Sequence, residues 1–241
     1  MVINKGKKIF YSIVIPAHNE EKYISNTLKH LLNLKYPKDK YGVIVVENGS
    51  KDKTYGVAKK FSSKKVKVYS LKKPGVSNAK NFGATKASKK VKWFIFLDAD
   101  CSLKKNFLND VNSFLCNTKE NEYSAGACRA RPIEKTWKLR LFLWYYGYHL
   151  RVFRASISVQ FINKNFFKKV KFDPDLSLGE DYYLLKQLRK YGKFFFINTK
   201  EFEISTRRFK RFGLLKVIWV WLHGGLLSNK SLRKINYEVV R

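Results

Sequence analysis

The stretch from Trp93 to Asp100, WFIFLDAD, constrains the fold more than any other segment of the chain. It is an apolar, aromatic-rich run that ends in two carboxylates one residue apart, Asp98 and Asp100. A short apolar run of this kind predicts a strand that is covered on both faces of a sheet. Because two acids are costly inside a core, we expect them at the carboxyl end of that strand, where open α/β sheets bind ligands.

Two carboxylates at this edge suit a hard divalent cation such as Mg²⁺ or Mn²⁺, which in turn holds a diphosphate. The alternative is an ordinary exit from a strand with two solvated acids. This stretch alone leaves both interpretations open, so the choice depends on the rest of the chain.

The first hundred residues alternate in the manner of βαβ units. Strands are predicted at residues 11–16, 42–47, 66–71 and 93–97, with helices between them at 20–34, 52–61 and 77–88. Parallel strands with helical crossovers predict a doubly wound α/β fold with helices on both faces of a mostly parallel sheet. The second half is less regular, with strands predicted at 124–130, 157–163 and 194–198 and a helix at 180–191.

The composition narrows the class of protein without choosing a partner. A formal net charge of +32 over 241 residues attracts polyanions such as nucleic acid, nucleotide phosphates or anionic lipid headgroups. The three cysteines have no CxxC or CxxH spacing, so neither a zinc site nor a disulfide scaffold is expected, and a reduced cytosolic setting is the default. We see no signal peptide and no run of eighteen uncharged apolar residues, so a standard spanning helix is not expected.

Six motifs follow one another along the chain, most of them at strand ends. They are SIVIPAHNEE at 12–21, VVENGSKDKT at 45–54, PGVSNAKNFG at 74–83, DAD at 98–100, GED at 179–181 and STRRF at 205–209. Together they resemble the family 2 glycosyltransferases over about residues 10 to 210. Each motif alone is weak, but their common order is specific. The resemblance implies a GT-A fold that transfers a sugar from a nucleotide-diphosphate donor to an acceptor hydroxyl or phosphate.

The resemblance also implies roles for residues on the donor side. Pro16, His18 and Glu20 lie in the loop that contacts the base and ribose in this family. Asn48 stands where many members carry an aspartate that reads uracil, and Lys80 stands where arginine is usual. The departure at Asn48 leaves the identity of the base open, because an amide both accepts and donates hydrogen bonds. Lys80 keeps the positive charge but loses the bidentate fork of arginine, and it is the expected contact to a phosphate or to the base.

The remaining roles concern the diphosphate and the reaction. By the same resemblance, Asp98 and Asp100 hold Mg²⁺ or Mn²⁺, and Asp98 also reaches the donor. Arg207 and Arg208 neutralise the departing diphosphate, since arginine matches phosphate oxygens. Asp181, with Glu180 beside it, is the expected general base of an inverting displacement. The alternative is that these two acids only favour the first turn of their helix.

Two aromatic segments with basic flanks favour a membrane surface. Residues 137–150 and 212–227 are too short to span a bilayer, but their tryptophans, tyrosines and flanking cations suit an interface. Packing on the domain's own core, or a dimer interface, is the alternative. We therefore expect one GT-A domain over residues 1–210, with a nucleotide-binding half at about 10–100 and an acceptor half at 101–210. A C-terminal amphipathic helix is expected in 211–241. We also expect the protein to be cytoplasmic and peripheral on the cytoplasmic face of the membrane, with an acceptor that is lipid-linked.

Three other functions stay open at this point. The charge and the many aromatics suit a nucleic-acid-binding protein, although no zinc finger, RNP-type motif or helix-turn-helix pattern is evident. A sugar-nucleotide pyrophosphorylase would need a glycine-rich loop after the first strand, where this chain has PAHN at 16–19. A catalytically inactive family member is permitted by Asn48 and Lys80, but the intact acids argue against it.

Overall fold

A computed structural model describes residues 8–119, 121–134, 136–176, 179–207, 209 and 213 of the chain. Its elements in order are β1 (Tyr11–Ala17), α1 (Ile24–Leu32), β2 (Tyr41–Asn48), α2 (Thr54–Lys59), β3 (Val66–Leu71), α3 (Val76–Thr85), β4 (Trp93–Leu97), β5 (Cys101–Leu103), α4 (Phe107–Leu115), β6 (Tyr123–Cys128), β7 (Arg131–Pro132), α5 (Trp137–Phe153), β8 (Val159–Asn163), α6 (Lys164–Phe167), α7 (Glu180–Leu188), β9 (Lys193–Ile197) and β10 (Phe202–Ile204). Arg208 and the helix expected in 211–241 lie outside the described residues.

The main sheet has seven strands in the order β3-β2-β1-β4-β8-β6-β9. Its first four strands are all parallel, as is the β6–β9 pair. Only β8 runs the other way, antiparallel to both β4 and β6. The predicted mostly parallel α/β sheet is therefore confirmed, and β8 is the strand that joins its two halves.

Each face of this sheet is covered by helices, as predicted. Ile13 and Ile15 of β1 pack into the core that holds Leu28 of α1. Val14, between them, points to the other face and packs into the core that holds Leu184 of α7. Side chains alternate across a strand, so a run that is apolar at every position serves two cores at once.

A second, three-stranded sheet in the order β5-β10-β7 was not predicted. Its strands are only two or three residues long, too short to show a periodic pattern. This small sheet positions functional residues, because β5 begins directly after Asp100 and β10 ends three residues before Arg207.

The first helix begins later than the predicted residue 20. Residues 18–23 are instead held as a loop against the turn that follows β2. The Asn19 amide donates to Ser50 Oγ at 3.0 Å, and the Glu20 amide donates to Thr54 Oγ1 at 2.7 Å. These bonds hold the two residues in the loop, where Asn19 has a left-handed φ of +54°, and α1 starts only at Ile24.

Among the described residues, no helix is both long enough and apolar enough to cross a bilayer. The longest is α5, which has 17 residues and carries lysine and arginine.

The close packing of α3 on the sheet gives a direct test of the fold. A Cβ at Gly83 would overlap the Val14 side chain and lie 3.1 Å from Val46 Cγ2. We expect Gly83→Ala to lower the free energy of unfolding by about 1–2 kcal/mol, because overpacking outweighs the gain in helix propensity. Urea unfolding measures this change.

Gly56 of α2 is the matched control, since a Cβ there meets nothing within 4 Å. Gly56→Ala should raise the free energy of unfolding by about 0.5–1 kcal/mol. A loss of equal size in both variants would contradict the packing described for α3.

Candidate active site

Asp98 and Asp100 lie in the short connection between the two sheets. Asp98 follows the last residue of β4, and Asp100 precedes the first residue of β5. The Asp98 amide donates to the carbonyl of Ser158 at 3.0 Å, which fixes the connection against the start of β8. Both carboxylates are therefore held at the carboxyl edge of β4, partly exposed, as the position of the motif predicts.

Arg207 joins this connection to the loop after β1. Its guanidinium makes a bidentate pair with Glu20, with Nη1–Oε2 and Nη2–Oε1 distances of 2.9 and 2.6 Å, and it lies 4.6 Å above the ring of Tyr23. Arg207 Nε is 3.0 Å from Asp100 Oδ2 but has no hydrogen bond within the described residues, so this contact is electrostatic. Burial opposes the charge of Arg207, yet the bonds to Glu20 and the charge of Asp100 raise its pKa above the ordinary value.

Lys80 joins α3 to the first turn of α7. Its ammonium is 3.1 Å from Glu180 Oε1 and 2.5 Å from Asp181 Oδ1, and it lies 4.7 Å from the ring centre of Phe172. Only 3% of Lys80 is exposed. Burial alone would lower the pKa of Lys80, but the charges of Asp181, Glu180 and Asp98 raise it above the ordinary value. The structure thus places Lys80 against carboxylates.

Asp181 is the more exposed of the two carboxylates that pair with Lys80, with 32% of its side chain exposed against 12% for Glu180. Partial removal from water raises the pKa of Asp181 to about 6; the Lys80 charge opposes this rise and Glu180 adds to it. A carboxyl group with this pKa is ionised at neutral pH and is still basic enough to accept a proton.

The loop after β1 and the turn after β2 form one unit. The ring of His18 is held by its Nδ1 atom, 2.8 Å from the Asn48 carbonyl oxygen. Asn48 is buried, and its side-chain Oδ1 accepts no hydrogen bond within the described residues. The turn itself is shaped by Gly49, whose φ of +74° is open to glycine, and by the Ser50 amide, which donates to Glu47. Pro16 lies near the end of β1, two residues before His18, and is partly buried.

Two features of the site carry no clear signal in the sequence. Gln160 on β8 is 2% exposed, lies near Asp181 and donates to Ser156 Oγ at 2.9 Å. A glutamine inside a predicted buried strand was the one available hint. The rings of Tyr23 and Phe172 flank the two cations; Tyr23 falls in the stretch predicted as the first helix, and Phe172 falls in a stretch with no predicted element.

The described part of the site is locally acidic although the chain is strongly basic. Five carboxylates surround two cations, Arg207 and Lys80, in a chain of formal net charge +32; they are Glu20, Asp98, Asp100, Glu180 and Asp181. An acidic pocket repels a diphosphate unless a cation accompanies it.

The donor set fits Mg²⁺ or Mn²⁺. The described residues contain no cluster of three His, Cys, Asp or Glu side chains able to hold a metal ion. Asp98 and Asp100 instead offer two hard carboxylate ligands, and Mg²⁺ is commonly bound by one or two carboxylates together with substrate phosphates. The residues present therefore suit a cation that arrives with a diphosphate rather than one held by the protein alone.

Comparison with known proteins decides the family. A family model described as "Glycosyl transferase family 2" matches residues 12–173. The chain belongs to this family. The match spans β1 to the segment just before α7, so it includes the carboxyl edge of the parallel strands.

One curated relative matches the chain over a segment shorter than the family model does. The Methanococcus voltae dolichyl N-acetyl-alpha-D-glucosaminyl phosphate 3-beta-D-2,3-diacetamido-2,3-dideoxy-beta-D-glucuronosyltransferase is 34% identical over 122 residues, which cover 48% of this chain and 37% of the relative. The match thus spans well under half of that relative's length.

Two solved structures share the fold of this family 2 chain. Staphylococcus aureus TarS 1–349 in complex with UDP-GlcNAc has a TM-score of 0.65 at 19% identity, covering 83% of this chain and 59% of that one. The mannosyltransferase PcManGT from Pyrobaculum calidifontis, in complex with GDP-Man and Mn²⁺, has a TM-score of 0.65 at 15% identity and covers 85% and 58%. At these identities the likeness shows the GT-A fold alone.

The pairing of Lys80 leads to a prediction about stability. Lys80→Met leaves Glu180 and Asp181 close together without their cation. At pH 8 we expect a loss of about 2–3 kcal/mol in the free energy of unfolding, less than for a fully buried pair because Asp181 is partly exposed.

The loss should shrink as the pH falls to 5. Without the ammonium, the pKa values of both carboxyl groups rise, so they protonate at a higher pH and their repulsion disappears. Lys186→Met, at an exposed lysine of the same helix, is the control and should change stability by less than about 0.5 kcal/mol. A loss at Lys80 that is equal at pH 8 and pH 5 in urea unfolding would contradict the pairing.

Proposed function

We propose that this chain is a metal-dependent, inverting glycosyltransferase that uses a nucleoside-diphosphate sugar. The observation that carries the proposal is the acidic carboxyl edge of the sheet, where Asp98 and Asp100 follow β4 and the partly exposed Asp181 pairs with Lys80, whose pKa the charge of Asp98 also raises. Membership of glycosyl transferase family 2 supports it, as do the nucleotide sugars bound by TarS and PcManGT. The catalytic unit we propose is residues 1–210.

Asp98 and Asp100 are the residues that would hold Mg²⁺ or Mn²⁺. A divalent cation bound there would polarise the diphosphate and offset the charge of the leaving group. The Mn²⁺ in the PcManGT complex supports this choice of ion. Arg207, already beside Asp100, and Arg208, which lies outside the described residues, are the proposed cationic partners of the departing diphosphate.

The loop and turn that follow β1 and β2 are the proposed nucleotide site, with Pro16, His18, Glu20 and Asn48 as its residues. The buried Oδ1 of Asn48 accepts no hydrogen bond from the described residues, and a ligand that donates one would remove the cost of leaving it unpaired. The Asn48 oxygen suits a base with a ring N–H donor, which both uracil (N3–H) and guanine (N1–H) have. Lys80 pairs with Glu180 and Asp181 next to this nucleotide site. Its proposed role is to hold the carboxylate of Asp181, the general base, in position.

Asp181 is the proposed general base, and Glu180 stays paired with Lys80 beside it. A carboxylate that takes the proton of an acceptor hydroxyl, on the side of the sugar opposite the diphosphate, leads to displacement with inversion. We propose that the acceptor is lipid-linked and is met at an anionic membrane surface. The name of the Methanococcus voltae relative includes a dolichyl N-acetyl-alpha-D-glucosaminyl phosphate, which supports such an acceptor.

The metal assignment is tested by calorimetry with UDP and GDP in the presence of Mn²⁺. Asp98→Asn and Asp100→Asn should each weaken metal-dependent nucleotide binding at least about tenfold, because each removes one carboxylate ligand. Asp39→Asn is the control, since the Asp39 side chain is 75% exposed and pairs only with Lys40 at the surface among the described contacts. Unchanged affinity in both site variants would overturn the assignment.

The proposed base is tested by kinetics. Asp181→Asn should keep donor affinity and lower the rate of transfer by about 10²–10⁴, the usual contribution of a general base. For the wild type, kcat/KM should fall as the pH drops through about 6, since the pKa of Asp181 is raised to about 6 and only its ionised form accepts a proton. Retained turnover in Asp181→Asn would remove this residue as the base.

A further inference from the structure

The inner side of α5 packs against the domain. Leu143, Tyr146, Gly147 and Leu150 are its buried residues, and Phe142 lies 5.6 Å from Phe209 between ring centres. Gly147 allows the Arg129 side chain to cross the helix closely, since a Cβ there would lie 3.1 Å from Arg129 Nε. This side accounts for the attachment of the helix, and it uses less than half of the apolar residues on it.

The outer side of α5 is apolar as well. Six large side chains on it are each more than half exposed: Trp137, Leu141, Trp144, Tyr145, Tyr148 and Val152. At about 100° per residue they fall within an arc of about 100°, on the side opposite the buried residues. We call these six residues the outer face of α5. A contiguous exposed patch of this kind marks an interaction site rather than ordinary surface.

Cations border the outer face on both edges. Lys138 lies along one edge, Arg140 and Arg151 lie along the other, and all three are exposed. The sequence of α5, WKLRLFLWYYGYHLRVF, contains no acidic residue. The helix therefore presents an aromatic strip between two basic borders.

The composition of this surface selects its partner. Tryptophan and tyrosine are amphipathic rings that settle at headgroup depth, and exposed lysine and arginine pair with anionic lipid. A second copy of the chain would bring a formal charge of +32 against an equal charge, which opposes self-association. A helix of 17 residues with one apolar side lies in the interface rather than across the bilayer.

We propose that the outer face of α5 binds an anionic bilayer surface, with the helix lying in the headgroup plane. This inference deepens the membrane partner of the proposed function by naming the surface that makes the contact. It also places that contact beside the active site, because Ile133, just before α5, donates its amide to Ile204 of β10 at 3.0 Å and Thr206 donates its amide to Glu134 at 3.2 Å, next to Arg207.

The test is co-sedimentation of the full chain with vesicles of phosphatidylcholine alone or mixed with phosphatidylglycerol. Wild-type protein should bind the mixed vesicles at least tenfold more tightly than the neutral ones. The double variant Trp144→Ser/Tyr148→Ser should lose at least tenfold in affinity for the mixed vesicles. Arg140→Gln/Arg151→Gln should lower the preference for the anionic vesicles and flatten its salt dependence.

Tyr55→Ser is the control, because Tyr55 is an exposed aromatic on a different helix, α2; it should bind vesicles as the wild type does. Thermal stabilisation by nucleotide with Mn²⁺ is measured on each variant in the absence of lipid. All of them should keep it, since none of the substituted residues lies in the active site. If nucleotide with Mn²⁺ does not stabilise the wild type at all, that result counts against the proposed function but not against vesicle binding by the outer face of α5.

Two results would overturn the inference. Equal binding of wild type and Trp144→Ser/Tyr148→Ser to mixed vesicles would assign the contact to another surface. Absence of vesicle binding, together with a dimer that the same double variant dissociates in sedimentation velocity, would make a second copy the partner of the outer face.

Discussion

Two cations, the buried Lys80 and the partly buried Arg207, hold the acidic edge of the sheet together, and the arrangement of the site depends on them. Arg207 ties Glu20, from the loop after β1, to Asp100, at the junction of the two sheets. Lys80 ties α3 to Glu180 and Asp181 at the start of α7. Each cation bridges segments far apart in the sequence. Removing either would leave these carboxylates without the cation that offsets their charge, which costs far more than the pairs contribute as isolated contacts.

The same pairing separates the duties of similar residues. Glu180 and Asp181 are adjacent in sequence, but a helix points them in different directions, so Asp181 is the more exposed of the two. Asp98 and Asp100 differ likewise, because Arg207 lies against Asp100. In the function we propose, the site combines two metal-binding carboxylates, a general base and a cation that supports the leaving group, in surroundings that are acidic although the chain is basic. The basic surplus is spread over the rest of the surface, including the borders of α5.

Much of the fold was predictable because the parallel strands are apolar at consecutive positions and end at polar motifs. The strands at 66–71 and 93–97 have the predicted bounds, and the acids of the DAD motif lie at the expected edge. The small sheet was missed because strands of two or three residues leave no period. The pairing of Arg207 with Glu20 spans 187 residues, and no local pattern encodes such a contact. The outer face of α5 was predictable only in part. The sequence shows that the segment is aromatic and basic, but which of its side chains are buried and which are exposed depends on how the helix packs on the domain.

The central claim is that this edge binds a nucleoside diphosphate together with a divalent cation. Thermal unfolding of the full chain with UDP, GDP, ADP and their sugars, each with Mn²⁺, Mg²⁺ or chelator, tests it most directly. At a hundredfold excess over Kd, a bound ligand adds about 2.7 kcal/mol of stability. We predict that nucleotides of one base class stabilise the protein, and that this stabilisation requires the metal. Stabilisation by a nucleotide that persists in chelator would contradict the claim. So would the absence of stabilisation by any nucleotide, if an RNA or DNA oligomer stabilises the chain.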